Sequence, residues 1–216
     1  MKFLNEEVAK QLEGIFGGMK DDVTVALFTR EEDCETCTDT MDFISELATV
    51  APKLSLDSMD LDKDSDKAKE YGVTMAPSLV LLDKDKNYKR IKFNGVPSGH
   101  EINSFISSVM EVSGNSQELP KEIMERIEKI DKPVNIKLFV TLACPHCPGA
   151  VEKAHKLALE NPNIHADMIK AQTFYDMSEK YNVSSVPKIV INDEFEFVGN
   201  QPLEVFLDEI EKTQVA

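Results

Sequence analysis

Residues 140–149 read VTLACPHCPG, two cysteines three positions apart at the end of an apolar run, with Pro145 and His146 between them. A second pair stands upstream at Cys34 and Cys37, in TREEDCETCT, residues 29–38. Four thiols in two such pairs admit three chemistries: a metal cage, two redox centres, or buried packing groups. The choice among them settles fold and function together.

Working outward, the same offset recurs. Cys34 and Cys144, Cys37 and Cys147, Tyr71 and Tyr181, Val73 and Val183, and Pro77 and Pro187 are each 110 residues apart. Coincidences at one offset mark a duplicated unit. Each copy opens on a short run rich in Val, Ile and Phe, DVTVALF (22–28) and PVNIKLFV (133–140), the pattern of a buried strand. The cysteine pair follows, then apolar residues at helical spacing: Met41, Ile44, Leu47 and Ala48 in one half, Val151, Ala154, His155 and Ala158 in the other. Next come KLSLDSM and IHADMI as strands, polar helices ending near Tyr71 and Tyr181, and then the prolines, each introducing a further strand. A turn, the strands YKRIKFNG and EFEFVG, and amphipathic helices over 100–112 and 203–210 complete the halves. The order β-α-β-α-β-β-α predicts an α/β protein of two tandem units, each a central mixed β-sheet flanked by helices. A helix precedes each unit, over 3–16 and 117–130. The polar stretch VSGNSQ (112–117) sets the boundary, giving units 1–114 and 115–216.

Composition narrows the function. A net charge of −15 argues against nucleic acid as a partner, because phosphate binding needs clustered Lys and Arg. No window approaches the roughly 18 apolar residues of a membrane span. The glutamate-bearing start MKFLNEEVAKQLEGIF is not a secretory signal, so a cytoplasmic setting is expected. Structural disulfides are uncommon there, and paired cysteines more often mean catalysis or metal.

A zinc cage would draw on pairs roughly 12–20 residues apart. Here the pairs lie far apart, in separate copies. Packing accounts for a single buried cysteine more readily than for a pair repeated at a strand-to-helix turn. The redox reading fits the spacing. Cysteines at i and i+3 opening a helix lie within disulfide reach, and the first would sit where unpaired N–H groups favour a thiolate. Cys34 and Cys144 are the expected nucleophiles, and Cys37 and Cys147 the expected resolving thiols. Pro145 suits a first helical turn, where its missing N–H costs nothing. Pro77 and Pro187 stand at strand starts, and cis bonds are expected at Ala76–Pro77 and Val186–Pro187. Such bonds would leave the backbone of Ala76 and Val186 free for a substrate chain.

A CxxC followed after 43 residues by a proline, within this element order, resembles the thioredoxin and glutaredoxin superfamily. Two such units resemble the archaeal and thermophile protein disulfide oxidoreductases, through FNGVPSGHE (93–101), CPHCPGAVEKAHK (144–156) and YNVSSVPKIVI (181–191). The resemblance implies two tandem thioredoxin-like folds and an enzyme that reduces, forms or isomerises protein disulfides. It implies no cofactor beyond the redox disulfides Cys34–Cys37 and Cys144–Cys147. A thioredoxin-reductase-like flavoprotein would serve as electron donor. A second resemblance, to the tandem region of bacterial peroxiredoxin reductases, implies an electron shuttle to a peroxiredoxin. Ser185-Val186-Pro187 and FVGNQ depart from the glutathione-binding pattern of glutaredoxins, and the chain has no Trp. CPHC also resembles the periplasmic oxidants of bacteria, but the 43-residue spacing leaves no room for their inserted helical domain.

The two centres differ in charge. Glu31, Glu32, Asp33, Glu35 and Asp39 surround the first pair, against Arg30. A carboxylate ~7 Å from a thiolate costs roughly 1 kcal/mol at an intermediate dielectric. No acid precedes Glu152 near the second pair, and a protonated His146 would add to thiolate stabilisation. The Cys144–Cys147 centre is therefore expected to be the more reactive. His155, on the apolar helix face, is expected to be packed. His100 and His165 have no metal-ligand company. DKDSDKAKE (62–70) lacks the spacing of a calcium loop, and no phosphate loop or dinucleotide fingerprint is present.

Overall fold

VTVALFT, dense in β-branched and aromatic residues, forms strand β1 (Val23–Thr29), nearly all of it buried. Alternation sends Val25 and Leu27 to one face and Ala26 and Phe28 to the other, so helices must cover both faces. In this computed structural model, which describes residues 3–215, they do. Residues 1, 2 and 216, the outer ends of the two expected units, lie outside the described residues.

The first half runs α1 (Glu6–Phe16), β1, α2 (Cys37–Val50), β2 (Leu54–Asp60), α3 (Ser65–Tyr71), β3 (Ser78–Leu82), β4 (Tyr88–Asn94), a 3-10 turn (Gly99–Glu101) and α4 (Ile102–Val112). The second runs α5 (Lys121–Ile127), β5 (Val134–Val140), α6 (Cys147–Glu160), β6 (Ile164–Lys170), α7 (Tyr175–Lys180), β7 (Lys188–Ile191), β8 (Phe195–Val198) and α8 (Leu203–Gln214). The leading helices are shorter than expected. Asn5 caps α1 by accepting from the Val8 N–H, and Pro120 stands at the N-cap of α5, whose start it sets at Lys121.

The two sheets are one. Eight strands run in the order β2-β1-β3-β4-β6-β5-β7-β8, and the halves join through parallel pairing of β4 with β6. Within each half, the first strand pairs parallel with the second and antiparallel with the third. Lys92 of β4 stands opposite Asp167 of β6 and pairs with it at 3.3 Å. One apolar cluster spans both halves, from Phe43 and Phe105 to Leu157 and Phe206, with α4 packed along α6. Two smaller clusters occupy the other face, one around Phe28 and Tyr71 and one around Phe139, Ile169 and Val190.

Candidate active site

Each cysteine pair sits where an inner strand, β1 or β5, turns into the helix that crosses the sheet. Both pairs are closed as disulfides, with Cα–Cα distances of 5.4 Å at Cys34–Cys37 and 5.5 Å at Cys144–Cys147. These lie within the ordinary range for the bond. The first cysteine of each pair is half-buried and the second is buried, Cys37 at 6% and Cys147 at 0% exposure.

One expectation about the helix starts is corrected. Helices α2 and α6 begin at the second cysteine, and the first lies in the preceding turn. In each half a turn hydrogen bond winds the chain first, Cys37 N–H to the Cys34 carbonyl and Cys144 N–H to the Thr141 carbonyl. The proline in the first turn of α6 is therefore Pro148, and Pro145 lies exposed in the turn before it, beside exposed His146.

The bonds Ala76–Pro77 and Val186–Pro187 are both cis. Pro77 and Pro187 are buried, while Ala76 and Val186 are half-buried. The Cys144 Sγ lies 3.9 Å from the Val186 carbonyl oxygen, so that the sulfur and the backbone before the proline share one surface. Ala76 and Pro77 line a groove of about 570 Å³ together with Cys34.

Charges around Cys34 differ from the count along the sequence. Arg30 grips Asp62 through two hydrogen bonds of 2.9 Å, and Lys63 pairs with Glu31 and Asp60. Lys170, from the end of β6, lines the Cys34 groove as well. Burial pushes its ammonium down, while Asp39 and Glu35 pull it up. The sequence reading missed Lys170 because β4–β6 pairing, and not the chain near Cys34, brings it there. Gly95, at φ +99°, makes room for it: a Cβ on Gly95 would stand 2.7 Å from the Lys170 Cβ.

The turn before Cys144 is held by the other half. The His100 N–H donates to the Leu142 carbonyl at 3.0 Å. Gly99, at φ +59°, lies so close that a Cβ would stand 2.6 Å from the Leu142 oxygen. Glu101, in the same 3-10 turn, is fully buried; its Oε2 accepts from the Ser104 hydroxyl and its Oε1 has no hydrogen-bond partner among the described residues. Burial pushes this carboxyl up to about 7, with Ser104 opposing and Glu152 adding to the rise. Nothing in the sequence distinguishes Glu101 from the exposed glutamates.

The remaining histidines have structural surroundings. His155 is buried against the Phe93 ring, with its Nδ1 2.9 Å from the Ser108 Oγ, and burial holds it near 3. His100 is the middle residue of the 3-10 turn, and His165 lies on β6 beside the Tyr88 ring. Among the described residues, no group of three or more His, Cys, Asp or Glu is placed to hold a metal ion. Among them, too, no helix is long and apolar enough to cross a membrane.

Paired sulfurs, one reachable and one hidden, beside a cis proline at the head of a helix define a CxxC disulfide centre of the thioredoxin-fold class. Comparison with known proteins agrees. A family model described as thioredoxin matches residues 18–108, and one described as thioredoxin domain matches residues 134–212. The structure of a mutant of the alkylhydroperoxide reductase AhpF from Enterococcus faecalis superposes with a TM-score of 0.91 at 32% identity, over 96% of this chain and 99% of that one. A protein disulfide oxidoreductase from Aeropyrum pernix superposes with a TM-score of 0.88 at 29% identity, over 97% and 93%. A Bacillus subtilis NADH dehydrogenase is 24% identical over 94% of this chain, which spans 37% of that relative's length. The chain belongs to the thioredoxin family and carries two of its domains in tandem. Each of the two domains holds one CxxC disulfide centre.

Proposed function

We propose that Cys34 and Cys144 are the attacking sulfurs and Cys37 and Cys147 the resolving ones, in units 1–114 and 115–216, and that the substrates are protein disulfides. In the reducing direction the first cysteine, as thiolate, attacks one sulfur of the substrate disulfide. The substrate S–S bond breaks and its leaving thiolate takes a proton. The second cysteine then loses its proton and attacks the first, which releases the second substrate thiol. The enzyme dithiol becomes a disulfide as one substrate disulfide becomes two thiols; oxidation is the reverse, and isomerisation is both in turn. A flavoprotein of the thioredoxin-reductase kind would return two electrons and two protons to the enzyme disulfide, in the cytoplasm. Nucleic acid and membrane have no part in this reading.

The observation that carries it is the arrangement at Cys144, a half-buried sulfur 3.9 Å from the Val186 carbonyl and bonded to a fully buried partner. A substrate chain laid on the Val186 or Ala76 backbone would present its sulfur there. Pro145 and His146 support the C-terminal centre by shaping an exposed turn free of carboxylates, and this centre carries most of the exchange. Refolding of scrambled ribonuclease tests the assignment. Loss of most activity is expected in Cys144→Ser/Cys147→Ser and a smaller loss in Cys34→Ser/Cys37→Ser; full activity in both variants would reject it.

The likeness to the alkylhydroperoxide reductase AhpF over 96% of the chain favours a second reading, an electron shuttle between a flavoprotein reductase and a peroxiredoxin. Faster reduction of a peroxiredoxin disulfide than of scrambled ribonuclease would support it.

A further inference from the structure

Three depressions adjoin one another, and Cys34 lines the middle one. The first, about 460 Å³, is lined by Glu31, Glu32, Asp33, Asp60 and Asp62 against Arg30 and Lys63, so carboxylates outnumber cations there. The second is the groove of Cys34, Ala76 and Pro77, which shares Arg30 and Asp33 with the first. The third, about 470 Å³, is largely apolar and holds Met75, Phe174, Tyr175 and Met177; it shares Met75, Thr173 and Phe174 with the second. The surface is therefore continuous, acidic at one end, sulfur-bearing in the middle and apolar at the other. Its apolar end comes mainly from the second half, from the loop after β6 and the start of α7.

Tyr175 is 62% exposed, unusual for a large apolar ring, and its hydroxyl is tethered to Glu179 at 3.0 Å. Exposed aromatics beside half-buried methionine and phenylalanine are typical of surfaces that receive another chain's apolar side chain. The acidic end selects by charge, attracting lysine and arginine and repelling carboxylates.

We infer that the Cys34 groove takes an extended polypeptide whose disulfide cysteine is flanked by basic side chains on one side and by an aromatic or aliphatic side chain on the other. The inference rests on the proposed attacking role of Cys34 and gives that centre a substrate class. A small anionic disulfide is a poor fit, because Asp33 and Glu35 already match Arg30 and Lys170 in the middle groove, carboxylates exceed cations at the acidic end, and it would not reach Tyr175. The two centres then divide the work by substrate, and the second half serves as part of the first centre's binding surface.

The test uses the full chain with Cys144→Ser/Cys147→Ser, reduced at the first centre. Four peptides are offered, each with one cysteine held in a mixed disulfide with a chromogenic thiol. Their flanks are basic and aromatic, basic and serine, serine and aromatic, or acidic and serine. The basic–aromatic peptide is expected to react at least about tenfold faster than the acidic–serine one, the rate ratio that corresponds to ~1.4 kcal/mol. Salt at about 0.5 M should remove the share due to the basic flank. In Tyr175→Ser the aromatic-over-serine ratio should collapse toward one. Bis(2-hydroxyethyl) disulfide serves as a flank-free control. Equal rates for all four peptides with a reactive control, or an aromatic preference that survives Tyr175→Ser, would overturn the inference alone. An unreactive control would overturn the attacking role of Cys34 and the inference with it.

Discussion

At the scale of single residues, the cysteines were legible and their surroundings were not. Cys34, Cys37, Cys144 and Cys147 announce themselves by spacing and by the 110-residue repeat. Glu101 does not, because its burial comes from docking the 3-10 turn against the second half's turn at Leu142. That burial has a thermodynamic signature. With the folded carboxyl near 7 and the ordinary value at 4.5, the folded state holds the proton more tightly, so stability declines as pH rises through that window. We expect wild type to lose about 3 kcal/mol between pH 4.5 and 8 from this group, and Glu101→Gln to lose correspondingly less over the same range. Urea titrations of both proteins at the two pH values check this, and parallel losses would contradict it. His155 acts in the opposite sense. Held near 3 by burial, it contributes stability that falls away as pH drops below its ordinary 6.5.

At the scale of elements, periodicity placed every strand and helix to within a few residues, and the hydrogen bonds of turns and caps moved the ends. The first turn of α6 begins at Cys147 because the chain winds a turn from Thr141 to Cys144 before the helix starts. Pairing between β4 and β6 had no local signal, since each strand alternates equally well as an edge or an inner strand. Its chemistry is visible once the strands are together. Lys92 is 8% and Asp167 23% exposed at the side chain, and Lys92 also donates to the Gly72 carbonyl at 2.8 Å. Burial pushes the Asp167 carboxyl up and Lys92 draws it back, while its Oδ1 has no hydrogen-bond partner among the described residues. Lys92→Met should therefore cost about 3 kcal/mol by leaving a half-buried carboxylate with only the more distant Lys137 to oppose its burial, and Lys92→Met/Asp167→Leu should recover most of that. Denaturant unfolding of the two variants measures both, and a double variant as weak as the single one would contradict the argument.

At the scale of the molecule, duplication predicted two units but not their fusion into one sheet with one principal core. Fusion makes each half part of the other's site. Gly99 and His100 of the first half brace the turn before Cys144, and Lys170 and Phe174 of the second wall the groove at Cys34. The acidic cluster seen in the sequence is accordingly tempered by Lys63 and Lys170, yet carboxylates remain in excess beside Cys34 while His146 stands exposed beside Cys144. Stabilising a thiolate stabilises the dithiol and raises the reduction potential, by roughly 30 mV for each 1.4 kcal/mol. The most direct measurement is redox titration of Cys34→Ser/Cys37→Ser and Cys144→Ser/Cys147→Ser, with trapped thiols counted by mass. Both remaining pairs should cycle between dithiol and disulfide, with Cys144–Cys147 the more oxidising by about 30 mV or more. A pair that never exchanges, or two equal potentials, would contradict the account.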